Sequence, residues 1–233
     1  NIDIKPTATK QVTGSQALLD ALIQEGVKTI FGYPGGAIMP VYDALYDYND
    51  RLEHILVRHE QGAIHAAQGF ARVSGKTGVV FATSGPGATN LVTGLADAMI
   101  DSTPVVCITG QVFAHLLGTD AFQETDVINI TTPVTKWSYQ VTNAQEIPHV
   151  LAKAFYIAST GRPGPVVIDI TKNAQLQLFD YEGYQKCFHI RSYKPKPEVR
   201  PTYIAEAAAI INETKRPFVI FGQGVILGNA EKE

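Results

Sequence analysis

Cysteine is scarce: the chain has two, Cys107 and Cys187. They lie far apart and form no CxxC pair, which excludes a disulfide-stapled scaffold and a cysteine zinc site. A surplus of positive charge is also missing. Lys and Arg total 19 against 22 Asp and Glu, a net charge of −3. A nucleic-acid partner is therefore not expected, since such proteins concentrate Lys and Arg in a patch or stripe. The longest stretch without a charged residue, Thr77 to Ala96, is studded with Thr, Ser, Gly, Pro and Asn, too polar for lipid. Asn1 to Thr13 lacks the apolar core of a secretory signal. The expectation is a cytoplasmic protein with no membrane partner. Internal repeats and low-complexity tracts are absent as well.

What is present is ordinary globular material, with 45% hydrophobic and 18% charged residues. Short apolar runs alternate with helical periods. Ala17, Leu18, Ala21 and Leu22 share one helix face, and Gly26 stops that helix. Strands are expected at 29–31, 54–57, 78–82, 104–109, 136–141 and 166–170. Helices are expected over 38–48, 60–74, after Asn90, and over 145–159. The strands at 78–82 and 104–109 show no polar alternation, the mark of burial on both faces. Strand–loop–helix repeated in this way predicts an α/β fold, a parallel sheet flanked by helices on both faces. Tyr- and Pro-rich residues 181–200 read as a linker between a domain over 1–180 and the start of a second α/β domain over 201–233. That second part is expected to be a helix over 202–214 and a first strand, Pro217–Phe221. A strand entering a new sheet needs partners, so the chain reads as a fragment of something longer.

In open parallel sheets, ligands bind beyond the carboxyl ends of the strands. Glycine-rich loops fall at three such ends: Tyr33-Pro34-Gly35-Gly36, Ser84 to Gly87, and Gly222 to Gly228. Glycine lets backbone approach a flat ligand, and helix N-termini offer free N–H donors. A dinucleotide site does not fit. Gly222, Gly224 and Gly228 have the wrong third spacing, and the second strand ends in Arg58-His59-Glu60 instead of a lone ribose-binding acid. Ser84 is not in a G-x-S-x-G elbow, which argues against a serine hydrolase. Glu60 stands out because it sits where a strand becomes a helix. A helix dipole alone stabilises such an acid by roughly 0.3–1 kcal/mol, so position leaves both a structural and a chemical role open. His59 is expected to be structural or supporting, and Lys136 and Trp137 to serve packing and surface. No spacing supports a metal ligand set.

Five blocks occur in order: F-G-Y-P-G-G (31–36), R-H-E-Q-G-A (58–63), T-S-G-P-G-A-T-N (83–90), T-D-A-F-Q-E (119–124) and G-R-P-G-P-V (161–166). Together they resemble the N-terminal part of acetohydroxyacid synthase (acetolactate synthase) catalytic subunits, which are thiamine-diphosphate enzymes. The resemblance runs from about Gly14 to Gly228. It implies a pyrimidine-binding domain over 1–180 and the truncated start of a central FAD-binding domain over 201–233. It also implies thiamine diphosphate, FAD and Mg²⁺ as cofactors. The Mg²⁺ ligands would lie in a further domain, since neither Gly-Asp-Gly nor Asn-Asn occurs here.

By the same resemblance Glu60 is the catalytic glutamate, sharing a proton with N1′ of the aminopyrimidine and favouring its imino form. Tyr33, Pro34, Gly35 and Gly36 match the loop near the pyrimidine, and Thr83, Pro86 and Asn90 match further pyrimidine contacts. Gln123 matches a polar group near the reacting centre, with Phe122 as an apolar wall. Lys172 matches a lysine by the substrate channel, Arg162 a contact to FAD, and Gly222 and Gly224 a backbone approach to FAD. Two positions depart from the common pattern: Phe113 stands where many members have Pro, and Thr171-Lys172-Asn173 replaces P-K-D. The implied reaction joins two 2-oxo acids, pyruvate with pyruvate or 2-oxobutyrate, with loss of CO₂, in branched-chain amino acid biosynthesis. A homodimer or homotetramer is implied, with a small regulatory subunit as a further partner. The rival expectations are another thiamine enzyme (pyruvate oxidase, oxalyl-CoA decarboxylase or a catabolic acetolactate synthase) and a non-catalytic thiamine-binding module. As it stands the chain is expected to be inactive alone.

Overall fold

The computed structural model describes residues 10–230 and Lys232. Eight strands form within it: β1 (Lys10–Thr13), β2 (Thr29–Gly32), β3 (Glu53–Leu56), β4 (Gly78–Ala82), β5 (Val105–Gln111), β6 (Trp137–Val141), β7 (Pro165–Thr171) and β8 (Leu178–Tyr181). Six of them make one sheet in the order β3-β2-β4-β5-β7-β6, and every pairing in it is parallel. The connecting helices are α1 (Gly14–Gln24), α2 (Met39–Leu45), α3 (Glu60–Ser74), α4 (Pro86–Thr89), α5 (Val92–Ile100), α6 (Val127–Thr131), α7 (Ile147–Ser159) and α8 (Lys172–Leu176).

Strand alternation sorts the core into two layers. Val79 and Phe81 of β4 join Leu18 of α1, Val41 of α2 and Leu151 of α7 in one apolar cluster. Val80 and Ala82, on the opposite face, join Ile64 of α3, Leu95 of α5 and Val127 of α6 in the other. All residues of β4, β5 and β7 are buried. Local signals agree with this layering. Thr13 and Gln16 close a reciprocal capping box on α1, and Gly75 ends α3 in the left-handed conformation, with φ 69°.

β1 and β8 form a separate antiparallel pair, Lys10 opposite Tyr181, which the strand pattern had not indicated. Residues up to Pro195 form one compact unit and Lys196–Glu233 a second. Residues 181–195, expected as part of a linker, pack on the first unit. Tyr184 donates to Glu25, and the Tyr193 hydroxyl donates to the Thr160 carbonyl at 2.7 Å. Lys136 is equally structural: its ammonium donates to the carbonyls of Ile157 and Thr160, at the end of α7.

The second unit contains α9 (Pro201–Glu213) and α10 (Gln223–Leu227). The expected strand Pro217–Phe221 does not form. Phe218, Val219, Ile220 and Phe221 are 71–89% exposed. A parallel strand needs neighbours for its N–H and C=O groups, and none stands beside it among the described residues of that unit. Gly222 and Gly224 accordingly open a short helix instead of a strand-end loop.

Candidate functional site

The sheet gathers most of the singled-out residues at one end. Tyr33 to Gly36 follow β2, Glu60 follows β3, Thr83 to Asn90 follow β4 and Lys172 follows β7, so all lie at carboxyl ends of parallel strands. Arg162 does not join them. It precedes β7, a seven-residue strand about 20 Å long, and so stands at the opposite end of the sheet. There its guanidinium donates to Ser102 Oγ at 2.8 Å and to the Ile100 carbonyl at 2.7 Å, satisfying the end of α5. Gly222 and Gly224 belong to the second unit.

Glu60 is the first residue of α3. His59 caps that helix by accepting from the Gln61 N–H on Nδ1 at 3.1 Å, the supporting role expected of it. Glu60 itself is only 7% exposed. Its Oε2 accepts from Asn90 Nδ2 at 2.9 Å. Oε1 faces Gly87, where a Cβ would stand 3.2 Å from it and 2.8 Å from Thr83 Cγ2. Glycine at 87 thus leaves open the space in front of one carboxylate oxygen. Gly85 has φ +53°, and a Cβ there would lie 2.5 Å from the backbone oxygen of Gln123. The S-G-P-G turn is glycine-rich because two other parts of the site press against it.

The 33–37 loop is held on three sides. Thr83 Oγ1 accepts from the Ala37 N–H at 3.2 Å, Gln175 Nε2 donates to the Ala37 carbonyl at 2.9 Å, and Lys172 Nζ donates to the Gly36 carbonyl at 3.2 Å. Gly35 is required by closeness, because a Cβ would sit 2.5 Å from Thr83 Cβ. Lys172 also lies over the ring of Phe113, 5.8 Å from its centroid. Pro86 occupies the first turn of α4, where its missing N–H costs nothing. Gln123 is held with φ +57° and Phe122 is 88% exposed.

Beneath the site, Tyr42 Oη and His54 Nε2 lie 3.0 Å apart, packed under Gly32. Burial, then the Glu60 charge, push the Tyr42 phenol up, so it keeps its proton; burial pushes the His54 imidazole down, so it is neutral at pH 7. Beyond Gln175 and this pair, sequence reasoning missed Asp169, Thr109, Gln111 and Gln140, a buried polar group at the ends of β5, β6 and β7. The available signal was a lone acid inside the apolar run Val166-Val167-Ile168-Asp169-Ile170.

The arrangement offers a buried carboxyl with one oxygen fixed and the other open, flanked by glycines that admit a flat ring. Those features fit the aminopyrimidine of a thiamine cofactor, which presents a ring nitrogen to a carboxyl. Among the described residues no group of three His, Cys, Asp or Glu could hold a metal ion, and no helix is long and apolar enough to cross a membrane.

Comparison with known proteins agrees with the geometry. Residues 12–130 match the family "Thiamine pyrophosphate enzyme, N-terminal TPP binding domain". The chain is 52% identical over 222 residues to a probable acetolactate synthase large subunit of Methanocaldococcus jannaschii, covering 94% of this chain and 37% of that protein. It is 51% identical over 226 residues to an acetolactate synthase large subunit of Mycobacterium tuberculosis, covering 97% and 36%. A third, from Corynebacterium glutamicum, is 49% identical over 229 residues, covering 98% and 36%. The chain spans little more than a third of the length of these relatives.

Proposed function

The chain belongs to the thiamine pyrophosphate enzymes, through their N-terminal TPP binding domain, and on that footing we propose that it is the pyrimidine-binding part of an acetolactate synthase catalytic subunit. The observation that carries the chemical part is the buried Glu60, with Oε2 held by Asn90 and Oε1 turned to the space over Gly87. The names of relatives near 50% identity support the choice of reaction. The reaction joins two 2-oxo acids, pyruvate with pyruvate or 2-oxobutyrate, and releases CO₂, as a step toward branched-chain amino acids.

Thiamine diphosphate, when bound, supplies the electron sink for decarboxylating a 2-oxo acid. The chain's own residues do the rest. Glu60 holds and yields a proton at Oε1 toward the pyrimidine ring, while Asn90 keeps the carboxyl from turning. Tyr33, Pro34, Gly35 and Gly36, with Thr83 and Pro86, wall the ring and exclude water. Lys172 places positive charge at the loop it holds, where it would meet the carboxylate of a 2-oxo acid, and Gln123, against Gly85, would face the reacting carbons.

The pyrimidine-binding domain extends to Pro195, since residues 181–195 pack with it, and residues 201–233 would begin an FAD-binding domain whose Gly222 and Gly224 let backbone approach the flavin. Arg162 is read as a flavin contact on the resemblance of its G-R-P-G-P-V block (161–166) alone. Mg²⁺ would be held by residues other than those described, since no group of three His, Cys, Asp or Glu among them could hold a metal ion. The assembly is a cytoplasmic homodimer or homotetramer, with a small regulatory subunit as a further partner.

The test is to supply the full-length chain with pyruvate, thiamine diphosphate, Mg²⁺ and FAD. Acetolactate formation together with bound flavin is the expected result. Thiamine binding with no acetolactate would overturn the choice of reaction, and turnover without flavin would move the protein to a flavin-free thiamine enzyme.

A further inference from the structure

Asp169 is fully buried near the end of β7, in register between Thr109 of β5 and Gln140 of β6. Its carboxylate accepts from Thr109 Oγ1 at 2.6 Å, Gln140 Nε2 at 2.9 Å and Gln111 Nε2 at 3.1 Å. All three donors are neutral. The charge of Asp126, which caps α6, bears on it unfavourably. A buried carboxylate without a cation is costly, and apolar residues of similar volume are often at least as stable in such places. The network needs a reason beyond holding the sheet.

The reason lies in what Gln111 does with its other atoms. Its Nε2 also donates to the Thr125 carbonyl at 2.9 Å, and its Oε1 accepts from the Val112 N–H at 2.8 Å. The amide therefore has one usable orientation. Flipped, it would set a carbonyl oxygen against the Asp169 carboxylate and lose both backbone partners. Thr125 closes the 119–124 segment, in which Gln123 is held in the left-handed region with its carbonyl against Gly85. Gly85 in turn opens the turn whose Gly87 faces Glu60.

We propose that Asp169, acting through Gln111, is the positioning residue for the Gln123 segment. The carboxylate orients the amide, and the amide fastens the segment by its Thr125 carbonyl, so that Gln123 closes over the Ser84–Gly87 turn beside Glu60. Its consequence for turnover rests on the function proposed above, whereas the positioning itself does not.

Amide hydrogen exchange in the full-length chain tests it without any activity assay. Peptides spanning 119–126 report the segment, and peptides spanning β4 report global opening. Gln111→Leu removes the link while leaving Asp169 two donors, and should raise exchange in 119–126 by about tenfold with β4 unchanged. Asp169→Leu should do the same although Gln111 is intact. Asp169→Asn should restore protection, because its oxygen still accepts from Gln111 and Gln140 while its amide donates to the Thr109 hydroxyl. Unchanged segment exchange in Gln111→Leu overturns the proposal, whether or not Asp169→Leu folds. Equal increases in β4 and the segment in Gln111→Leu, or an Asp169→Asn that behaves like Asp169→Leu, overturn it too.

Discussion

The chemistry proposed for Glu60 rests on two neighbours: Asn90, which holds Oε2, and Gly87, which leaves Oε1 open. Asn90→Ala deletes the donor to Oε2 and leaves a buried carboxylate short of a partner, at a cost of about 1–3 kcal/mol. The expected result is a lower urea midpoint and weaker thiamine binding. Gly85→Ala asks for a backbone angle that alanine rarely adopts and sets a Cβ 2.5 Å from the Gln123 carbonyl. A loss of roughly 1–3 kcal/mol, read from the same unfolding curves, is expected there. Asp169 has the opposite sign from a salt-bridged acid. Burial raises its carboxyl from 3.8 to about 6 despite its hydrogen bonds. The folded state therefore binds its proton more tightly than the unfolded chain. Its contribution is complete below about pH 4 and is lost as pH rises through about 6, by up to about 3 kcal/mol. Urea midpoints of wild type minus Asp169→Asn should fall over that window and stay level above it. Glu60 was singled out because it stands at a strand-to-helix junction, although position alone left its role open. Asp169 was not, because nothing in the spacing of V-V-I-D-I tells a satisfied carboxylate from an edge position. Its donors come from two other strands, far away in sequence.

Elements were more legible than contacts. Continuous apolar runs at β4 and β5 gave away burial on both faces, and Gly26 marked the end of α1. Where a segment's fate depends on what lies beside it, local pattern gave less. β1 and β8 pair only because the chain returns Tyr181 to Lys10. Pro217–Phe221 has a strand's composition but stays unpaired. The α3–α5 contact is another case that spacing hides. A Cβ on Gly94 would lie 2.1 Å from Ile64 Cγ2, so the two helices meet through that glycine. Gly94→Ala should lower stability by roughly 1–3 kcal/mol, measured by urea unfolding. Gly62→Ala, with open space around its Cβ, should be neutral or stabilising.

On the scale of the whole molecule, the described residues contain one six-stranded parallel sheet, and the residues proposed to bind the pyrimidine stand at its carboxyl end. On the proposed function these residues form the pyrimidine side of a thiamine site, and no Gly-Asp-Gly or Asn-Asn for a diphosphate side occurs in the sequence. The chain also spans only 36–37% of relatives such as the acetolactate synthase large subunits of M. jannaschii and M. tuberculosis. Alone, these residues should form no acetolactate even with every cofactor added, and product from them would refute the half-site reading. The central claim is that Glu60 handles the proton on which the reaction depends. Its most direct test is acetolactate formation by the full-length chain, wild type against Glu60→Gln, with pyruvate, thiamine diphosphate, Mg²⁺ and FAD supplied. A fall of at least about 10²-fold with thiamine still bound is the predicted result; equal product from both would contradict it.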